Sequence, residues 1–139
     1  MKVDYSSARI VLLGVPDVPG VAAKVFSPLS EAGIRVDMIV QNSMRGGITD
    51  IGFLLPKNRM DDAIEICSRT ALEVHAQGVS FNTETARVTV GADPAAVFSA
   101  LAAASVNIEM IVSGPDSLTC VVAASSAERA AEALSGIEK

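Results

Sequence analysis

The strongest constraint on this chain is an internal repeat. Residues 24–40 align without gaps with residues 96–112 at an offset of 72, and eight of the seventeen positions are identical. Chance does not explain that identity, so the sequence predicts two copies of one supersecondary unit. Two copies on one chain create a pseudo-symmetric interface, and small ligands often bind at interfaces of that kind.

Composition and charge indicate which classes of protein and partner the sequence fits. The 139 residues are half hydrophobic and include no tryptophan, so we expect two small modules with aliphatic cores that fuse or dimerise. The net charge of −5 argues against a nucleic-acid partner, which needs a basic face. The sequence contains no long apolar run and no charged-then-apolar leader, so we expect neither membrane insertion nor secretion. Cys67 and Cys120 lie in separate copies without metal-ligand spacing, which favours reduced thiols in a cytoplasmic protein.

The hydrophobic pattern of the first copy predicts alternating strands and helices. Strands are expected at residues 9–15, 34–42, 48–55 and 72–81, and helices at residues 21–32 and 60–69. Glycine and proline residues separate these segments, as expected for turns. The resulting βαββαβ order is the ferredoxin-like pattern.

The second copy repeats this pattern but stops early. Strands are expected at residues 87–90, 106–112 and 118–124, and helices at residues 94–104 and 127–134, the last capped by Ser125 or Ser126. The fold class is therefore α+β, with two ferredoxin-like modules packed side by side, residues 1–82 and residues 83–139. The second module lacks its last strand, which leaves a short sheet edge or a place where another segment pairs.

No pattern of residues in the sequence indicates a catalytic site. The sequence has no nucleophile elbow, no phosphate-binding glycine loop and no cluster with metal-ligand spacing, so we predict no catalytic residues, no metal and no cofactor. The single histidine, His75, falls in the weakest predicted strand, where a structural role is expected.

The loop at residues 17–22 is the best candidate for ligand binding. Pro19 and Gly20 let the backbone approach a ligand closely, and the helix that follows points free N–H groups outward, which suits a carboxylate. The Asp17 carboxylate beside it suits an ammonium group, so together they fit a free α-amino acid. The alternative is that Asp17 caps a turn and Pro19-Gly20 begins the helix. Gln41 and Asn42, at the end of the second strand, either select a polar ligand side chain or are solvated hairpin residues.

A family resemblance adds to this interpretation. The motifs DxPGxAAKxF, VDMIxQN and TDI, within residues 9–70, resemble the first ACT module in the regulatory region of aspartokinases. The segment VNIEMI at residues 106–111 resembles the matching strand of the second module. The resemblance implies two ACT modules that share a sheet, a homodimer of such chains, and lysine, threonine or both bound between modules. The kinase catalytic domain or subunit would lie elsewhere, under feedback control in the biosynthesis of lysine, threonine and methionine.

The resemblance also implies which residues hold the effector. The loop would bind its ammonium and carboxylate groups, Asn107 and Ile108 would offer backbone contacts from an opposing strand, and the second strand would face a pseudo-equivalent site. The loop residues are Asp17, Val18, Pro19, Gly20, Val21 and Ala22, and the second-strand residues are Met38, Gln41 and Asn42, with Asp37 nearby.

The second module departs from the family pattern. Its loop is shorter, and no glycine follows Pro94, which compromises close backbone approach. We therefore expect the effector to bind at the first site rather than at the second. A free-standing ACT sensor of another enzyme and a purely structural dimerisation module stay open as alternatives.

Overall fold

The computed structural model describes residues 1–138 and divides the chain into two compact units. Module 1 is Ala8–Thr83, and module 2 combines Met1–Ser7 with the residues from Glu84 onward. In chain order the elements are β1 (Lys2–Asp4), β2 (Ser7–Pro16), α1 (Val21–Glu31), β3 (Asp37–Met44), β4 (Ile48–Pro56), α2 (Met60–Glu73), β5 (Gly78–Asn82), β6 (Thr85–Val90), α3 (Pro94–Ala103), β7 (Met110–Ser113), β8 (Leu118–Ala123) and α4 (Ala127–Ser135).

Module 1 has the ferredoxin-like fold that the hydrophobic pattern predicts. Its sheet has the order β3-β4-β2-β5, and helices α1 and α2 pack on one face. Helix α1 buries Val21, Val25 and Leu29, which recur every four residues and so form one stripe. Phe53 of β4 is fully buried and meets the Phe26 ring edge-on, with ring centroids 5.2 Å apart.

Module 2 has the same topology, but it takes its fourth strand from the start of the chain. Its sheet has the order β1-β6-β8-β7, and β1 runs antiparallel to β6, with Val3 opposite Val88. As predicted, no strand follows α4 within the described residues, and β1 pairs at the edge where the sequence left a place for another segment. Residues 1–7, which the predicted boundaries place in module 1, instead belong to the compact unit of module 2. The physical reason is that the backbone edge of β6 needs hydrogen-bond partners, and an adjacent extended segment supplies them.

The predicted strand at residues 72–81 is also wrong in its first half. Helix α2 continues to Glu73, and β5 begins only at Gly78. Cys67, Ala71 and Val74 are buried, so the apolar residues continue a helical stripe that composition alone does not distinguish from a strand. His75 consequently lies in the turn after α2, with φ of 60°.

Two smaller differences concern the ends of elements. Strands β3 and β7 begin at Asp37 and Met110, later than predicted, because Ile34 and Val106 are buried within the connections that precede them. Helix α4 begins after Ser126, whose side chain makes no capping hydrogen bond. Ser126 is nevertheless the N-cap residue, as predicted, and a short 3₁₀ turn at Ala124–Ser126 leads into the helix.

Candidate functional site

The loop between β2 and α1 leaves the helix start without a side-chain cap. Gly20 is the N-cap residue, with a left-handed φ of 90°, and no side chain bonds the first turn. The Asp17 carboxylate therefore does not cap α1. First-turn N–H groups have no intrahelical partner in any helix, and the exposed loop residues from Asp17 to Gly20 lie directly before them. The Val21 N–H already donates to the Val18 carbonyl at 3.3 Å, so the helix start offers an anionic group the N–H groups that follow Val21.

The β3–β4 hairpin holds Asp17 from the other side. The Asp17 backbone N–H donates to the Gly47 carbonyl at 2.8 Å. The Ser43 hydroxyl lies 3.5 Å from Asp17 Oδ2, which is a long contact that leaves the carboxylate accessible. The loop and the hairpin tip therefore form one surface within module 1.

A cavity of about 280 Å³ lies beside this loop. Its walls are Pro16 and residues 18–21 of the loop, Lys24 of α1, and residues 73–75 at the end of α2, so Asp17 lies outside the cavity lining. Lys24 supplies a positive charge and Glu73 a negative one, so the wall offers partners for both ends of a dipolar molecule. Sequence reasoning missed Glu73 and His75 because it placed them in a strand; the helical spacing that ends at Val74 was the available signal.

The predicted residues of β3 do not all point the same way. Met38 has φ of 49° at a β-bulge between Asp37 and Val40. From Val40 onward the ladder is regular, with Gln41 opposite Ile51 and Asn42 opposite Asp50. Successive side chains of a strand point to opposite faces, so Gln41 shares the face of Ser43 and Asp17, whereas Asn42 lies on the other face. Both amides are exposed.

The remaining predicted contacts, Asn107 and Ile108, belong to module 2. They lie in the connection before β7 rather than in a strand. The Ile108 side chain packs against the core of its own module, and Asn107 is exposed. Ile108 therefore has only its backbone to offer a ligand.

The equivalent loop of module 2 begins its helix in a different way. Asp93 is the N-cap of α3 and has an extended backbone, with φ of −65°, instead of the left-handed glycine of module 1. A cavity of about 470 Å³ lies here, lined by residues 91–94 and residues 113–118. Its charged side chains are Asp93 and Asp116, so among residues 1–138 no cationic side chain lines this cavity. The two loops therefore offer different chemistry.

Within residues 1–138, the structure shows neither a metal site nor a helix that could cross a membrane. That part of the chain contains no group of three or more His, Cys, Asp or Glu side chains placed to hold a metal ion. None of its helices has the length and apolar character needed to cross a membrane. Cys67 and Cys120 are both free and buried, and burial raises the pKa of each thiol to about 11.

Comparison with known proteins places this architecture in a family. A model of the ACT domain matches residues 10–70 and residues 90–136. Aspartate kinase from Pseudomonas fluorescens (strain SBW25) is 37% identical over 135 residues, which cover 91% of this chain and 33% of that protein. The chain thus spans about a third of the length of the curated relatives it matches.

Solved structures agree over nearly the whole chain. The ligand-free regulatory subunit of aspartate kinase from Thermus thermophilus is 32% identical, with a TM-score of 0.90, and the match covers 99% of this chain and 96% of that one. A structure of aspartokinase alpha and beta subunits is 30% identical, with a TM-score of 0.87, and the match covers 96% of this chain and 93% of the other.

Proposed function

The chain belongs to the ACT domain family, among the regulatory parts of aspartokinases, and on that premise we propose that it binds a free amino acid and controls an aspartate kinase by feedback. The observation that carries this proposal is the loop at residues 17–22. It combines an uncapped helix start with an accessible carboxylate, Asp17, on the side facing the hairpin. These groups complement a ligand that carries a carboxylate and an ammonium group.

The proposed effector is lysine, threonine or both. These amino acids are end products of the pathway that begins with aspartate, so their binding would reduce flux into lysine, threonine and methionine. Asp17 accepts hydrogen bonds from the ammonium group, and the Ala22 N–H group, with the backbone of Pro19, Gly20 and Val21, surrounds the carboxylate. Gln41 lies on the same face and contacts the effector side chain. Met38 and Asn42 face a second, pseudo-equivalent site.

The phosphotransfer centre lies outside this chain, on a catalytic domain or subunit. The effector needs only a different affinity for two arrangements of the regulatory region, and a coupling free energy of about 1–3 kcal/mol suffices for such control. The chain pairs with a second copy through its ACT modules, and it acts in the cytoplasm. Its share of the length of full aspartate kinases, 33%, supports a separate catalytic part.

A thermal-shift panel of the twenty amino acids tests the proposal. Selective binding to the native state raises the melting temperature in proportion to ln(1 + [L]/Kd), so lysine or threonine should raise it while most of the others do not. An equal response to all twenty, or to none, would contradict the sensor function. Co-purification with an aspartate kinase catalytic subunit tests the partner, and a consistently empty pull-down favours a free-standing sensor.

A further inference from the structure

The strand that leads into the effector loop, β2, contains a left-handed residue, Gly14, close to its end at Pro16. The last ladder pair between β2 and β5 joins Leu13 to Gly78, and the next residue, Gly14, is buried with a left-handed φ of 61°. Only glycine adopts this conformation without strain. The chain direction at Gly14 therefore sets where Pro16 and Asp17 begin the loop.

Two contacts hold the backbone around Gly14. On one side, the Gln77 N–H donates to the Leu13 carbonyl at 2.8 Å, and a Cβ atom at Gly14 would collide with the Gln77 side chain. On the other side, the Gly14 N–H donates to Asp50 Oδ1 at 2.9 Å. The second contact joins the backbone of β2 to a side-chain carboxylate of the neighbouring strand.

Asp50 also belongs to the hairpin that meets the loop. It lies on β4, between β3 and β2 in the sheet, and directly opposite Asn42 in the ladder. Its side chain is only half-buried, so burial alone does not explain which residue stands there. Its place in the sheet requires a hydrogen-bond acceptor, because one acceptor oxygen joins β2, just before the loop, to the strand that carries the hairpin.

We infer that Asp50 is a positioning residue that fixes the effector loop through its hydrogen bond from Gly14. This inference rests on the proposed function for its effect on ligand affinity, but its structural part stands without a ligand. Asp50 acts through the backbone, so it needs an acceptor oxygen and not a negative charge. This requirement separates it from Asp17, whose carboxylate is proposed to bind the ammonium group directly.

The test compares two variants: Asp50→Asn keeps an acceptor oxygen, and Asp50→Ala removes it. Asp61→Ala, on the exposed first turn of α2, is the control. Amide hydrogen exchange at Gly14, followed by NMR, reports the contact without ligand. Protection should fall in Asp50→Ala and persist in Asp50→Asn and Asp61→Ala. The amide shifts of Val15, Asp17, Val18 and Gly20 should change only in Asp50→Ala.

Calorimetric titration with lysine and with threonine then reads the effect on affinity. Loss of one such hydrogen bond should weaken binding roughly tenfold in Asp50→Ala, and Asp50→Asn should bind within about twofold of the unmodified protein. Equal weakening in both variants, with Gly14 still protected in Asp50→Asn, would show a charge contact with the ligand and overturn the positioning role. Unchanged Gly14 protection in Asp50→Ala would overturn it as well. If the unmodified protein binds no amino acid, the proposed function is wrong, and the exchange data still decide whether Asp50 holds the loop.

Discussion

Val3 lies directly opposite Val88 in an antiparallel ladder, so the first residues of the chain complete the sheet of the second module. Around this pair, the Thr85 hydroxyl donates to the Ser7 carbonyl at 3.0 Å, and Arg87 Nε donates to the Ser7 hydroxyl at 3.1 Å. Val3 also packs against the core of module 2. The strand pairing, the side-chain hydrogen bonds and the packing of Val3 thus hold residues 1–7 in module 2.

Replacing Val3 with Asp should therefore destabilise module 2. The substitution places a charge against an apolar core, and we expect the free energy of unfolding to fall by about 1–2 kcal/mol. Urea denaturation measures the loss, and hydrogen exchange at Val88 locates it. Tyr5→Asp adds the same charge at an exposed position outside β1, so an equal loss in both variants would argue against a structural role for β1.

Asp17→Ala should abolish the melting-temperature rise caused by the effector and leave the fold intact. The side chain is exposed and its contact with Ser43 is long, 3.5 Å, so little stability depends on it. A hydrogen bond between charged groups contributes roughly 1.5–3 kcal/mol, so titration calorimetry should find affinity reduced at least tenfold. Asp93→Ala, at the matching loop of module 2, is the control, and a loss of binding in that variant would move the site to module 2.

Gly20→Ala should destabilise the protein through backbone strain alone. Gly20 has φ of 90° and open space where a Cβ would stand, so the cost is the left-handed conformation, about 1–2 kcal/mol. Gly136 also has open space but has φ of −81°, and Gly136→Ala should be neutral or slightly stabilising. Chemical denaturation measures the free energy of unfolding of both variants. Equal losses would contradict a cost that comes from the left-handed backbone at Gly20.

Phe26→Ala and Phe98→Ala should differ, although these residues occupy the same position of the repeat. Phe26 packs edge-on against buried Phe53, whereas the Phe98 side chain is 43% exposed. Loss of a packed aromatic ring should cost about 2–3 kcal/mol at Phe26 and less than about 1 kcal/mol at Phe98. Thermal unfolding of the two variants measures this, and a larger loss at Phe98 would reveal a partner that covers α3.

The two thiols should make stability fall at alkaline pH. Burial raises the pKa of Cys67 and Cys120 to about 11 from the ordinary thiol value of 9.0, so between these values the unfolded chain loses protons that the folded chain keeps. The contribution is complete below pH 9 and declines as pH rises toward 11. Urea denaturation at pH 8 and pH 10 should show a shallower decline in a Cys67→Ala, Cys120→Ala double variant. Parallel declines in both proteins would contradict this linkage.

The repeat and its hydrophobic periods were sufficient to predict much of the fold. The apolar run at residues 9–15 predicts a buried strand, and Ile10 and Leu12 of β2 are fully buried. The spacing of Val21, Val25 and Leu29 predicts one buried helix face, which α1 has. These signals are local, because the period of a strand or helix depends on neighbouring residues. Proline and glycine before a helix start also mark the loop at Asp17 as a turn, and its role in ligand binding stays a prediction.

What only the tertiary structure decided involves residues far apart in the chain. A three-residue strand such as β1 has no period of its own, and its pairing with β6 depends on an edge that forms more than seventy residues later. The Asp50–Gly14 bond likewise depends on which strands become neighbours. Phe26 and Phe98 occupy the same position of the repeat, yet Phe26 packs against Phe53 of a distant strand whereas Phe98 is 43% exposed. The sequence determined the modules, and long-range packing determined which segment completes each of them.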